Sequence, residues 1–320
     1  MEPPLMIRLT TPSRVFFAIT AVAYFLQMVP VVSEILFFLA VMAWPILLLN
    51  LGFLAMIFES AFGESPRILL IFPALWFGGN AAAATLSQIR LSDLRSEVER
   101  MNEGKTLGFD PASQTVVLDG EEAMSGVASR LVGSYDAPVA FARQTGGSKL
   151  LAFTMGGRDI CQKAWDRRSG LWKKDISPSG YQENNKLVHG LCVIRYPAAP
   201  PPSRIAVKSR AYQKSEGFLL PFELKEFTLT DASGKSVSVY AGTAQTLSWY
   251  PLPILGCSYI EKPHLKCYEY VFRLSADPVG GRASRESDLP VDVIARALGL
   301  EKAPASTRAA KINADRTDLP

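Results

Sequence analysis

Three long apolar runs, none containing a charged residue, fill most of the first 86 positions and constrain the chain more than any other feature. They are Val15 to Val32, Ile35 to Phe58 and Ile68 to Leu86. Each comes close to or exceeds the roughly 20 residues that a helix rising 1.5 Å per residue needs to cross a bilayer core. A segment in hydrocarbon must satisfy every backbone N–H and C=O internally, and a helix does so. The pattern therefore predicts a membrane-anchored α+β protein. Three transmembrane helices, at about 15–32, 35–58 and 68–86 of a helical region 1–86, precede a mainly β soluble domain.

Arg8 and Arg14 before the first run resemble the charged leader of a signal peptide. No small-residue cleavage motif with a mature domain behind it follows, because Ser33-Glu34 leads at once into another apolar run. The first two runs read as a tight hairpin with Pro30 near its turn, and a re-entrant or interfacial first segment is the alternative. Basic residues nearly balance across the third run, with Arg8, Arg14 and Arg67 on one side and Arg90, Arg95, Arg100 and Lys105 on the other. The first helix usually sets the orientation and long domains translocate largely regardless of charge. The expectation is a multi-pass inner-membrane protein with a cytoplasmic N-terminus and a periplasmic C-terminal domain.

Asn50 and Asn80 lie deepest in their runs, where an amide is kept most cheaply by a hydrogen bond to a neighbouring helix. Gly78 and Gly79, followed by Ala81 to Ala84, form a small-residue face on which helix backbones approach closely. All four are expected to serve packing within the membrane. A transport path would draw on several ionisable groups, and these runs supply none.

After the third run, Leu91, Leu94, Val98 and Met101 recur at helical spacing and predict a stalk helix over 87–104. From Lys105 short apolar runs alternate with Gly, Pro, Asn and Asp, the pattern of strands joined by turns, so 105–276 reads as a mainly β extracytoplasmic domain. Candidate strands are 115–118, 139–142, 150–154, 187–196, 204–211, 227–230, 236–240 and 268–274. The clearest hairpin joins Phe227–Thr230 to Ser236–Tyr240 through Asp231-Ala232-Ser233-Gly234. Pro197 to Pro202 reads as a stiff connector crossing one end of a sheet. Residues 277–320 read as a largely disordered tail with one short helix near 290–298.

A mean hydropathy of +0.13 averages two unlike halves, and a net charge of +4 from interspersed residues gives no basic patch of the kind nucleic acid requires. Partners are expected to be membrane lipid and proteins of the membrane or envelope. All four cysteines, Cys161, Cys192, Cys257 and Cys267, follow the apolar region, as in a disulfide framework of an oxidising compartment. Four cysteines allow three connectivities. Cys257 with Cys267, in LGCSYIEKPHLKC, closes a short loop worth roughly 3 kcal/mol, and Cys161 then pairs with Cys192.

The only two histidines each stand three residues before a cysteine, so His189, Cys192, His264 and Cys267 together make a tetrahedral zinc set. Positions three apart on a strand point to opposite faces, which counts against it, so no cofactor is expected and zinc is the alternative. Neither histidine has a G-x-S-x-G elbow to serve, and the glycine-rich stretches Thr145–Lys149 and Thr154–Asp159 lack phosphate-loop spacing. Between Arg158 and Asp175, Trp165, Arg167, Arg168, Trp172, Lys173 and Lys174 interleave indoles with cations, a composition suited to lipid headgroups or an acidic partner surface. The competing account buries the indoles in the core. The function expected is presentation of an extracytoplasmic binding or assembly domain within an envelope complex. A zinc-dependent envelope enzyme and a ligand sensor signalling through a partner are the alternatives.

Overall fold

The computed structural model describes residues 11–27, 29, 44–119, 124–135, 137–143, 149–166, 170–173, 175–178, 191–251, 253–258, 266–271, 273, 276–281 and 289–302. The predicted turn at Pro30, the histidines His189 and His264, and most of the predicted tail lie outside them. The described helices are α1 (Pro12–Gln27), α2 (Trp44–Ala61), α3 (Arg67–Asn102), α4 (Ser125–Ser134), α5 (Arg158–Trp165), α6 (Gly170–Lys173) and α7 (Leu289–Ala297). The strands are β1 (Thr115–Leu118), β2 (Val139–Arg143), β3 (Leu150–Gly156), β4 (Ser177–Pro178), β5 (Cys192–Pro197) and β6 (Arg204–Ser215). They continue with β7 (Phe222–Thr230), β8 (Ser236–Ala244), β9 (Pro253–Ser258), β10 (Lys266–Val271) and β11 (Asp277–Val279). The chain forms two compact units, one of residues 1–92, 217–220 and 245–276 and the other of 93–216, 221–244 and 277–320.

In the first unit α1 and α2 pack along each other. Phe17 meets Phe53 edge-on at 5.2 Å, and it can do so because Gly52 leaves room: a Cβ there would fall 2.8 Å from the Phe17 ring. The second predicted span ends at Phe58, but α2 runs on to Ala61 and brings in the carboxylate of Glu59, which is buried. Ser13 donates its backbone N–H and its hydroxyl to that carboxylate, both at 2.7 Å, and Ser65 adds a third hydrogen bond at 3.2 Å. Glu59 thereby satisfies an N–H of the first turn of α1, where helical N–H groups lack partners and negative charge is favoured.

Among the described residues α3 is the helix long and apolar enough to cross a membrane, while the apolar parts of α1 and α2, Pro12–Leu26 and Leu47–Ala61, are shorter. The predicted third span and stalk are this one helix. It is not uniform: a 3₁₀ turn at Arg67–Leu70 and one α-helical stretch at Ile71–Pro73 lead into a π turn at Ala74–Gly78. Pro73 has no N–H for the preceding turn and its ring crowds that turn, and the wider π geometry follows it directly. Among the described residues β9 and β10, the strands of LGCSYIEKPHLKC, pair with each other outside the large sheet, and β9 packs on α1 and α2.

The second unit is built on a nine-stranded sheet ordered β11-β8-β7-β6-β1-β2-β3-β5-β4. β1 is parallel to both neighbours, and the remaining pairs are antiparallel. One face carries the main core: Val116, Leu118, Phe153, Ile205 and Leu229 from the strands meet Leu131 of α4 and Ile294 of α7. α7 lies where the short helix is predicted. It is no appendage of a tail, because Val291, Val293, Ile294, Ala295 and Ala297 are all buried in that core. α4, which supplies the β1-to-β2 crossover, has no counterpart among the predicted elements.

On the opposite face, β5 must be linked to β6 four strand positions away, roughly 19 Å at the usual strand spacing. The chain covers this from Pro197 to Arg204 through AAPPPS, and an extended proline-rich segment of seven steps reaches roughly 22 Å. Ala198 packs beside Val117, Phe141 and Ala152, so the connector crosses the sheet's face and not merely its end. The predicted hairpin is β7–β8, with Thr230 opposite Ser236. Its turn is held by Asp231, whose Oδ1 accepts N–H bonds from Ser233 and Lys235, and by Gly234 at φ +85°.

Candidate functional site

The exposed large apolar side chains are not spread evenly. Val15, Val22 and Phe25 on α1, Leu47, Leu51 and Phe58 on α2, and Ile68, Ile71, Leu75, Leu86 and Ile89 on α3 all lie open. Phe218, Trp249 and Tyr250, in the loops of the same unit, join them, whereas Tyr212 is the one such residue of the sheet unit among the described residues. An apolar surface running round three helices greatly exceeds the patch a soluble monomer normally exposes. It matches what lipid tails or partner helices cover.

The polar residues set deepest in the apolar runs have specific partners. Asn50 accepts from the Trp76 indole N–H at 2.9 Å and donates to the Pro251 carbonyl at 2.9 Å. The first bond reaches a neighbouring helix, α3. Asn80 departs from that expectation, since it donates to the carbonyls of Ser248 and Trp249, each at 3.0 Å. Gly78 and Gly79 are exposed, and a Cβ on either would meet no atom within 4 Å. No backbone approaches them closely among the described residues. The stalk residues Leu91, Leu94 and Val98 are buried as their spacing requires.

In the sheet unit a disulfide joins Cys161 on α5 to Cys192 at the start of β5. Both cysteines are fully buried with Ala164 and Ile194. This has a direct consequence for the four-ligand zinc set, because a sulfur in a disulfide offers no thiolate to a metal. With Cys192 oxidised the set of His189, Cys192, His264 and Cys267 is incomplete, and both histidines lie outside the described residues. Among the described residues no cluster of three metal-ligating side chains occurs. Cys257 and Cys267 are direct register partners across the β9–β10 ladder. Of the basic and aromatic segment, Trp165 ends α5 and Trp172 and Lys173 lie in α6, while Arg167, Arg168 and Lys174 fall outside the described residues.

A polar cluster that the sequence reading passed over stands on the face of β6, β7 and β8 away from the main core. Register sets Arg210 beside Glu226 and Glu226 beside Tyr240. Glu226 is buried, and Arg210 holds it with Nε and the guanidinium NH₂ both at 2.6 Å while keeping its own side chain 73% exposed. Burial pushes the Glu226 carboxyl up, but hydrogen bonds from Ser238, Arg210 and Thr228 and the Arg210 charge outweigh it and hold the group below the usual carboxylate range. Burial and the neighbouring Glu226 charge push the Tyr240 phenol up. A register shift between Ala211 and Gln213 makes Tyr212 the extra residue of a bulge, with its ring 4.7 Å from that of Tyr240. The result is an ionised carboxylate fixing an exposed guanidinium beside an exposed tyrosine, the residue types that dominate protein contact surfaces.

The only trace of this cluster in the sequence is the alternation of β7, which begins at Phe222 and not at the predicted Phe227, so that Glu226 falls within the strand. A cleft of ≈ 180 Å³ opens between β7, β8 and the start of α7, with Glu223 and Lys225 paired at 3.7 Å on its wall. It is smaller than the roughly 300–1,000 Å³ of ordinary small-molecule sites. Comparison of the chain with protein-family models, with curated proteins and with solved structures finds no match.

Proposed function

We propose that the chain is a three-span inner-membrane protein that presents its sheet unit on the extracytoplasmic side for binding or assembly, within an envelope complex. The observation that carries this reading is the segregation of exposed apolar side chains onto α1, α2, α3 and their adjoining loops. The buried Cys161–Cys192 disulfide supports an oxidising compartment for the sheet unit. The Arg210, Tyr212 and Tyr240 surface is the contact patch for a protein partner, with membrane lipid covering the helices. Cys257 and Cys267 form a second disulfide, since opposed residues of an antiparallel pair sit about 4.5–5.5 Å apart at Cα, within the span a disulfide accepts.

A reporter enzyme that is active only outside the cytoplasm, fused after Arg285, reads the topology. Activity is expected, and its absence overturns the orientation. Crosslinking in intact membranes reads the assembly role, with a heavier species expected from the wild type and diminished by Tyr212→Ala. Recovery of monomer alone from both rejects it. Mass mapping without reduction is expected to yield a linked Cys257–Cys267 peptide.

A further inference from the structure

Residues 245–251 connect β8 to β9 without forming a helix or strand, yet they meet α3 deep within its apolar length. Positions 68 to 89 of α3 contain no charged residue, and Arg67 and Arg90 bracket them. Asn80, which donates to the Ser248 and Trp249 carbonyls, lies ten residues from Arg90 and thirteen from Arg67, roughly 15 and 20 Å along the helix. A hydrocarbon core is about 30 Å thick. If α3 spans the bilayer, this loop touches it near mid-depth.

Non-helical backbone is tolerated at such depth only where its polar groups are satisfied without water. The loop meets that demand through side chains. The Leu247 N–H donates to Ser87 Oγ, the Tyr250 N–H donates to Ser248 Oγ, and the Tyr250 carbonyl accepts from that same hydroxyl. Pro251 has no N–H, and its carbonyl accepts from Asn50. The neighbouring loop 217–220 is treated alike: Ser87 donates to the Leu219 carbonyl at 2.6 Å, and Arg273 donates to the carbonyls of both Phe218 and Gln245. While these backbone groups are satisfied, the side chains of Phe218 and Trp249 remain 62% and 61% exposed. The Tyr250 ring packs against Phe77 of α3, tilted by 36° at 5.8 Å, which makes the loop's apolar surface continuous with that helix.

We propose that residues 245–251, with 217–220 beside them, form a re-entrant segment whose aromatic side chains contact lipid acyl chains, a second and non-helical attachment to the bilayer. This rests on the reading of α3 as a membrane span. Asn50, Asn80 and Ser87 serve to satisfy the backbone of this segment, which explains why polar residues occur so deep in apolar helices.

The test uses the full chain reconstituted in phosphatidylcholine vesicles, with and without acyl chains brominated near their middle. The emission of Trp249 is the difference between the wild type and Trp249→Phe, and that of a lipid-facing helical position is the gain on Leu75→Trp, Leu75 being exposed on α3. Brominated lipid is expected to quench both, with aqueous acrylamide affecting neither strongly. Phe218→Trp gives an independent reporter on the adjoining loop with the same expectation. Quenching at position 75, with positions 249 and 218 quenched by acrylamide and not by lipid, overturns the re-entrant segment and leaves the anchor standing. Lack of lipid quenching at all three positions overturns the anchor and the segment with it.

Discussion

Removing the Cys161–Cys192 disulfide has an effect that can be worked out from the chain alone. The two cysteines are 31 residues apart. Cross-linking restricts the unfolded chain by roughly 2.1 + 1.5R ln 31, about 12 cal/mol/K, which is about 3.7 kcal/mol at 25 °C. Replacing both residues in Cys161→Ala/Cys192→Ala also removes two sulfur atoms from the cluster with Ala164 and Ile194, so the loss adds to that figure. At a urea dependence of about 2 kcal/mol per molar, the unfolding midpoint of the sheet unit is expected to fall by roughly 1.8 M or more. Near-ultraviolet circular dichroism of the full chain in mild detergent follows it. Because both cysteines are buried, the native bond is expected to resist reductant until urea opens the sheet unit. A double variant whose midpoint stays within about 0.5 M of the oxidised wild type refutes the argument, since that shift is worth only about 1 kcal/mol. Ready reduction of the folded protein refutes the claim that the bond is enclosed.

Two further perturbations bear on the sheet. Glu226 is held below its ordinary value of 4.5, so its contribution to stability is complete above that value and is lost as pH falls through the folded one. The wild type is therefore expected to exceed Glu226→Gln in urea midpoint near neutral pH, with the gap narrowing under acid; a gap that widens under acid contradicts the assignment. Gly242 and Gly234 separate steric from conformational demands. A Cβ on Gly242 would lie 1.9 Å from the Glu223 carbonyl oxygen, whereas one on Gly234 would meet nothing within 4 Å but sits at φ +85°. Gly234→Ala is expected to cost about 1–2 kcal/mol by thermal unfolding, and Gly242→Ala to exceed it, because strand backbone must move; the reverse order refutes this account.

The legible parts of the molecule were those with a local physical signal. Charge-free runs marked one end of each helix closely, since α1 begins three residues before the first run, α2 ends three residues after the second and α3 begins one residue before the third, and the Leu91, Leu94, Val98 seam predicted that α3 continues past its apolar part. The β7–β8 turn was readable because Asp231 and Gly234 each do a job that few residues can. What could not be read depended on partners distant in sequence. α4 presents Ala128, Leu131 and Val132, with Val127 partly buried beside them, to the core across ten residues, too short a pattern to distinguish from a loop. The pairing of β1 with β6, about ninety residues later, has no local marker, and neither does the departure of β9 and β10 from the large sheet. Asn80 was recognisable as an amide needing a partner. That its partner is a loop arriving from residue 248, and no helix, required the fold. Arg210 falls within a predicted strand and Glu226 just before another, and only the register brings them together.

The path of the chain between its two units bears on how the protein is made. It leaves the helical unit after residue 92, returns for 217–220, leaves again, returns for 245–276 and leaves for good at 277. Neither unit is therefore a contiguous stretch that a ribosome could finish before starting the other. When α3 emerges, the segments that complete its surroundings have not yet been translated, and when β8 emerges, the sheet still lacks β11 and the core still lacks α7. Both units must wait, part-built, for the last third of the chain: a truncation before Ala276 leaves both incomplete, and one between 277 and 297 still leaves the sheet unit without α7.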